Sequence, residues 1–435
     1  MSLSPLTVHR LVQPRVVEVA GVSAMACFMF ALPHFAVPAG ATYRPPAASI
    51  FLLLWAFFMM LQPGSIRMKL ADPGGLRRLL IVFFLYCIVS AVYGYLNLAG
   101  QGLAILQLTT GDVFYPRVSA ERLLQLLLVI VAFEVVRNSS HDYRRMMRWW
   151  LIGTTGAVVL HAFTYLITSD FLLQRAGTFN EGNLAGLYYL LSVFVALEYQ
   201  RIAPDGRGRW HFLLIAMAGM LLSRSAAGVV VLVFLLSAKF AFKPARPSSR
   251  VMRLLLVFLL IPSIGIGLAN VGLDFGISEK LFEEDVTPNS FSRIDRLESI
   301  RGALQLFGDA PVWGQGLQTY GFLSNDLIEG PLLTYYDESY RRIANNIYAE
   351  LGAELGAVGL LLFSAFLASM IRQVLKRGGA GRVNWLMGVL GVLLYWNAFP
   401  TYSVVFIWGY FGMMLKSLPL QQAKRPSSSL DRVFT

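Results

Sequence analysis

Apolar runs long enough to cross a bilayer recur along nearly the whole chain, and that repetition decides the fold class before any single motif does. A helix satisfies its backbone hydrogen bonds internally, so an apolar run of roughly 17–25 residues crosses hydrocarbon as a helix. The length rule gives about twelve runs, near 16–37, 46–62, 79–99, 122–137, 149–168, 183–199, 210–223, 225–241, 252–270, 347–371, 384–399 and 402–416. With 56% hydrophobic and 14% charged residues over 435 positions, the chain is too apolar for a soluble protein and too long for one ordinary core. The expected fold is all-α: a polytopic membrane helix bundle of about twelve transmembrane helices with one large outward loop. The expected divisions are an N-terminal transmembrane bundle over 1–270, the loop with amphipathic helices over 271–346, C-terminal transmembrane helices over 347–416 and a tail over 417–435. No basic start, short apolar stretch and small-residue cleavage site follow one another, so the first span is expected to be retained.

Orientation follows from the cations. With the N-terminus inside, most of the 37 Lys and Arg fall on inward segments, among them Arg77, Arg78, Arg144, Arg145, Lys239, Arg372 and Lys376. This matches the positive-inside rule with both termini cytoplasmic. The net charge of +12 is therefore explained by topology and gives no signal for nucleic acid. The cations left outside are Arg44, Arg117, Arg122, Arg175, Arg224, Lys280, Arg293, Arg296, Arg301, Arg341 and Arg342, and insertion does not explain them.

Cys27 and Cys87 both fall within expected spans and imply no disulfide framework. None of the five histidines lies in the long outward loop, which argues against a zinc site or a histidine base there. Within that loop, the stretch from Ser292 to Phe307 has apolar residues at helical spacing and is expected to form an amphipathic helix on the outer leaflet. The loop arginines Arg293, Arg296, Arg301, Arg341 and Arg342, beside many acids and aromatics, are candidate substrate-binding residues.

Three segments carry candidate chemistry. In the first, Arg175 to Asn183, one arginine, two glycines, Glu181 and the amides of Asn180 and Asn183 occupy a short outward connection suited to an anion. Asn183 can also cap the next helix, which would make the segment a capped turn with a snorkelling arginine. The second, Ser223-Arg224-Ser225, joins two closely spaced spans at their outer ends. With almost no loop to lift it into water, Arg224 needs a partner, either a protein carboxylate or a ligand anion. Guanidinium is planar and permanently charged, so two of them at helix ends could clamp a diphosphate. In the third, where the loop re-enters the membrane after Arg342, Asn345 or Asn346 is a helix N-cap candidate. Tyr348 follows, Glu350 and Glu354 share one face, and Gly352 and Gly356 leave room for a neighbouring helix.

Together, the Arg175-x-Gly-Thr-Phe-x-x-x-Asn183 loop, the Ser-Arg-Ser junction, Pro311-Val312-Trp313-Gly314-Gln315-Gly316 and Asn346-Ile347-Tyr348-x-Glu350-x-x-x-Glu354-Leu355-Gly356 resemble the O-antigen polymerase and O-antigen ligase superfamily of bacterial glycan assembly. The resemblance covers about residues 170–365. It implies a GT-C-like inner-membrane glycosyltransferase with a periplasmic active site, a donor glycan linked to undecaprenyl diphosphate, and no metal or other cofactor. In this family, arginines matching Arg175 and Arg224 are thought to bind the lipid diphosphate. Partners then include the lipid-linked glycan and membrane lipid, with a chain-length regulator and a flippase alongside. The ligase branch typically has histidine where this chain has Asn345, which favours the polymerase branch. The base must then lie elsewhere, with Glu181, Asp295, Asp309, Asp337 and Glu338 as candidates. Two other activities compete: ligation of finished glycan to lipid A core, and flipping or export of lipid-linked sugars. The latter is disfavoured by the scarcity of charges deep in the spans, chiefly Glu134 and Glu18.

Overall fold

The computed structural model describes residues 75–107, 112–139, 143–169, 171–177, 179, 181–202, 209–241, 291–324, 342–377, 381–397 and 402–423. The expected spans at 16–37, 46–62 and 252–270 lie outside the described residues. So do Thr178, Asn180, Asp337, Glu338 and Arg341, and the side chain of Arg293.

Among the described residues the chain forms twelve helices and one minimal strand pair. In order these are α1 (Leu76–Gly100), β1 (Ile105–Leu106), β2 (Val113–Phe114), α2 (Tyr115–Asn138), α3 (Tyr143–Ile167), α4 (Phe171–Ala176), α5 (Gly182–Ile202), α6 (Arg209–Leu222) and α7 (Ala226–Ala241). After them come α8 (Phe291–Asp309), α9 (Tyr320–Leu323), α10 (Ile347–Arg377), α11 (Arg382–Tyr395) and α12 (Val405–Ala423). The strands pair antiparallel, Ile105 opposite Phe114 and Leu106 opposite Val113, and pin the connection between α1 and α2.

The architecture is an all-α membrane bundle. Of the described helices, α1, α3 and α10 are long and apolar enough to cross a membrane by themselves. The expected spans near 210–223, 225–241, 384–399 and 402–416 appear as shorter apolar helices. Those near 122–137 and 183–199 appear as α2 and α5, which carry Glu134 and Arg137, and Glu198 and Arg201, at their C-terminal ends.

The bundle is built around α5. Every residue from Ala185 to Ala196 is buried, as a helix apolar all round requires. It packs against α3, α6, α7 and α11, while α12 lies along α2 and α10 lies along α1. Two buried tryptophans find partners for their N–H groups: Trp150 donates to Ser192 Oγ at 2.9 Å and Trp385 to Tyr143 Oη at 3.0 Å. At the C-terminal end of α5, the fully buried Glu198 accepts from Arg201 Nη2 at 2.6 Å and from Asn384 Nδ2 at 3.0 Å. Asn384 Oδ1 in turn accepts from Lys239 at 2.6 Å, so α5, α7 and α11 are tied together there.

The amphipathic helix expected over 292–307 is present as α8, but it does not stand alone at a leaflet. It packs along α10 and buries Ser299, Ala303 and Leu306. Gly352 does face another helix, α8, but Gly356 does not. A Cβ on Gly352 would face the Phe307 ring at 3.4 Å, and α10 is broken at Gly356, where φ is +62° and ψ is −166°.

The stretch 311–316 fills that break. Gln315 N donates to Ala353 O at 2.8 Å and Gly316 N to Glu354 O at 2.9 Å, while Ala357 N and Val358 N return bonds to Pro311 O and Val312 O. Tyr86 of α1 completes the accounting, its hydroxyl lying 2.8 Å from Leu355 O. The backbones approach so closely that a methyl on Gly356 would meet Gly314 N at 2.5 Å. Gly356→Ala should therefore cost about 2 kcal/mol or more. Thermal unfolding in detergent checks this, and an unchanged midpoint would mean the break tolerates a side chain.

Candidate functional site

Several helix ends converge at the start of α5. The chain leaves α3, turns through α4 and enters α5 at Gly182, which is wedged between two of the candidate arginine segments. A Cβ on Gly182 would lie 3.1 Å from Arg175 Cβ and 3.0 Å from Ser223 O. Glu181 and Asn183 flank it, Asn183 Nδ2 donating to Glu181 Oε1 at 2.7 Å and Asn183 Oδ1 accepting from Ser225 Oγ at 3.2 Å. Asn183 thus braces the junction between α6 and α7 and sits inside the first turn of α5, which corrects its expected role as an N-cap.

Arg224 adopts a left-handed backbone with φ of +45°, a conformation that non-glycine residues rarely hold without support. One partner is Tyr165 of α3, a third possibility beyond the carboxylate or ligand anion that the sequence raised. Arg224 Nη2 donates to the Tyr165 hydroxyl at 2.5 Å, and its guanidinium carbon lies 5.2 Å from the ring centre. On the other side of the junction, Ser225 Oγ and the Tyr395 hydroxyl are 2.6 Å apart.

Arg296 of α8 adds a third cation. Burial pulls the Arg175 pKa down, Glu181 and Tyr395 oppose the fall, and the charges of Arg224 and Arg296 reinforce it. Burial likewise pushes the Glu181 carboxyl up, against the Asn183 hydrogen bond and the charges of Arg296 and Arg175. Three guanidiniums, one acid and the N-terminus of a buried helix therefore share one region, an arrangement that favours a multiply charged anion.

A second cluster adjoins it through Asp295. Asn345 Nδ2 donates to Asp295 Oδ2 at 2.8 Å, and Ser299 Oγ lies 3.4 Å from Asp295 Oδ1. Asn345 also holds a left-handed backbone, with φ of +54°. Burial raises the Asp295 pKa, offset by these two hydrogen bonds and then by Arg296 and the buried Arg342. The Tyr320 hydroxyl donates to Ser299 O at 2.9 Å and closes the cluster from α9.

The other candidates are placed differently. Asn346 is the N-cap of α10, its Oδ1 accepting from Tyr348 N at 2.9 Å and Ala349 N at 3.0 Å. The Tyr348 hydroxyl donates to Leu393 O at 3.1 Å. Both residues line an apolar groove of about 300 Å³ between α8 and α10. Arg301 stands on the exposed face of α8, 4.0 Å from Glu298, and Asp309 ends that helix exposed to solvent.

Three participants escaped the sequence. Tyr165 and Tyr395 look like any other aromatic in an apolar span. Arg122 left a signal, being an outward cation inside an expected span. It is anchored by Ser403 Oγ at 2.7 Å, Glu350 at 3.8 Å and the Tyr402 ring at 5.1 Å.

Residues 211–364 match the family described as O-antigen ligase. Over that stretch the match supports the O-antigen ligase and polymerase superfamily. No curated protein matches the chain. The matched stretch begins in α6 and ends in α10. It therefore takes in Arg224, Asp295, Arg296, Arg342, Asn345 and Asn346, while Arg175, Glu181 and Asn183 precede it. The match supports an activity of the O-antigen ligase or polymerase type.

The raised Asp295 pKa has a consequence for stability. The folded state holds that proton more tightly than the unfolded chain does, so the contribution is fully present below the unfolded-state pKa and is lost as pH rises through the folded one. Asp295→Asn should accordingly melt a few degrees above the wild type at pH 8, with the gap closing toward pH 4. Melting curves across that range check the sign, and a variant less stable at every pH would contradict it.

Proposed function

We propose that this protein is a periplasm-facing, inverting glycosyltransferase of the inner membrane that uses an undecaprenyl diphosphate-linked glycan as donor and polymerises O-antigen or exopolysaccharide repeat units. The observation that supports it most directly is the meeting of Arg175, Arg224 and Arg296 at the N-terminus of α5. A departing lipid diphosphate gains negative charge as the bond to the anomeric carbon breaks. Cations already fixed around it stabilise that charge without reorganising.

The acceptor hydroxyl attacks the anomeric carbon from the opposite face, forming one carbon–oxygen bond as the other breaks, and its proton passes to a base. Asp295 is the residue we assign to that task, held in orientation by Asn345 and Ser299. Its raised pKa fits the role, since a base works best when its pKa approaches the working pH. Glu181 is bonded to Asn183 beside the arginines, and we assign it to tuning their charge. The charges of Arg296 and then Arg342 partly oppose the rise that burial imposes on the Asp295 carboxyl. Asn346 and Tyr348, at the mouth of the apolar groove, flank the acceptor side.

A second reading, ligation of finished glycan to lipid A core, draws on the description of the matching family. Against it stands asparagine at 345, where the ligase branch typically has histidine. Purified protein supplied with lipid-linked repeats, with and without lipid A core, separates the two by the acceptor consumed. In the same assay Arg175→Ala and Arg224→Ala should each lose about 10²–10³ in rate, the loss typical of removing one donor to a developing oxyanion. Wild-type turnover by both variants would refute the clamp.

A further inference from the structure

The two clamp arginines sit on separate connections, α4 and the turn between α6 and α7, yet one helix touches both. His161 and Tyr165 lie four residues apart on α3, on one face, at the end of the helix nearest the site. Tyr165 accepts from Arg224 and stacks under its guanidinium, at the distances given above. His161 Nε2 lies 2.9 Å from the carbonyl oxygen of Gln174, the residue before Arg175. A carbonyl only accepts, so the ring donates there, and its Nδ1 then accepts from the Tyr189 hydroxyl at 3.1 Å.

The connection is further drawn down onto α3 from its own side. Gln174 Nε2 donates to Thr168 O at 2.7 Å, with Tyr165 O at 3.4 Å. Gly177, just past α4, presses on the imidazole so closely that a Cβ would come within 2.7 Å of Nδ1. The ring is fully buried and stacks on Tyr189 of α5 at 5.9 Å. The backbone carrying Arg175 is thus fixed to α3 at His161, and the side chain of Arg224 is fixed to α3 one turn further on.

We propose that His161 and Tyr165 are positioning residues that fix, from one face of α3, the backbone that carries Arg175 and the guanidinium of Arg224 for the two phosphates of the lipid carrier. The inference rests on the diphosphate clamp assigned above. Its physical basis is preorganisation: a long cationic side chain that is already ordered loses less freedom when its anion arrives. The strained backbone at Arg224 needs such an external hold.

The test uses the full chain in lipid nanodiscs, with undecaprenyl diphosphate as the binding probe and lipid-linked repeats for turnover. Tyr165→Phe keeps the ring and removes one oxygen. It should weaken probe binding and raise the donor KM about tenfold, the worth of one hydrogen bond to a charged group, with a smaller change in kcat. His161→Gln retains an N–H near the Nε2 position and should stay close to wild type. His161→Phe fills the space without a donor and should lose about tenfold in binding. A role in packing alone would reverse that order.

Wild-type affinity in Tyr165→Phe, or equal behaviour of His161→Gln and His161→Phe, overturns the proposal. Should His161→Phe fail to fold, as its melting curve would show, Tyr165→Phe decides alone. If Arg175→Ala and Arg224→Ala are inert while Tyr165→Phe is unaffected, only the positioning role falls. If the arginine variants turn over at the wild-type rate, the clamp falls and this inference falls with it.

Discussion

A guanidinium near the edge of a hydrocarbon layer cannot shed its charge, so the protein around it must supply partners or lose stability. Most of the architecture at the outer end of this bundle answers that demand. Arg224 has a phenol beneath it, Arg122 has a glutamate, a serine and a phenol, and Arg175 lies beside Glu181. The fully buried helix α5 is what allows these groups to meet, because its first turn emerges between the connections that carry Arg175 and Arg224.

The two ends of the bundle treat charge differently. At one end, Glu198 is bonded by Arg201 and Asn384, and Arg77 meets Glu134 at 2.8 Å, so opposite charges are paired at short range. At the other, the charges of Arg224 and Arg296 add to the burial that disfavours the Arg175 cation. Leaving like charges together is unfavourable for folding alone, and functional sites are where proteins tolerate such conflicts.

How far the sequence could be read depends on the range of each interaction. Hydropathy needs only local information, so the helices were legible, and Arg175 and Arg224 could be singled out as cations lying between apolar runs. Pairings across the chain were not. Asn345 meets Asp295 fifty residues away, and Tyr165 meets Arg224 from another helix, with nothing in its neighbourhood to set it apart from other span aromatics. The break at Gly356 was hidden for the same reason, since a small-residue spacing looks alike whether it admits a helix or a loop.

The insertion of 311–316 into the gap at Gly356 makes α10 two rods joined by a welded elbow. The weld is made of main-chain bonds on both sides of the gap, which no side-chain exchange can reproduce. Its strand of six residues has no slack: adding or deleting one would shift every bond by a register and unseat the upper rod, which begins with the Asn346 cap. Lengthening of the outward loop in related chains is therefore to be sought away from this elbow, where the backbone is not committed to bridging a gap.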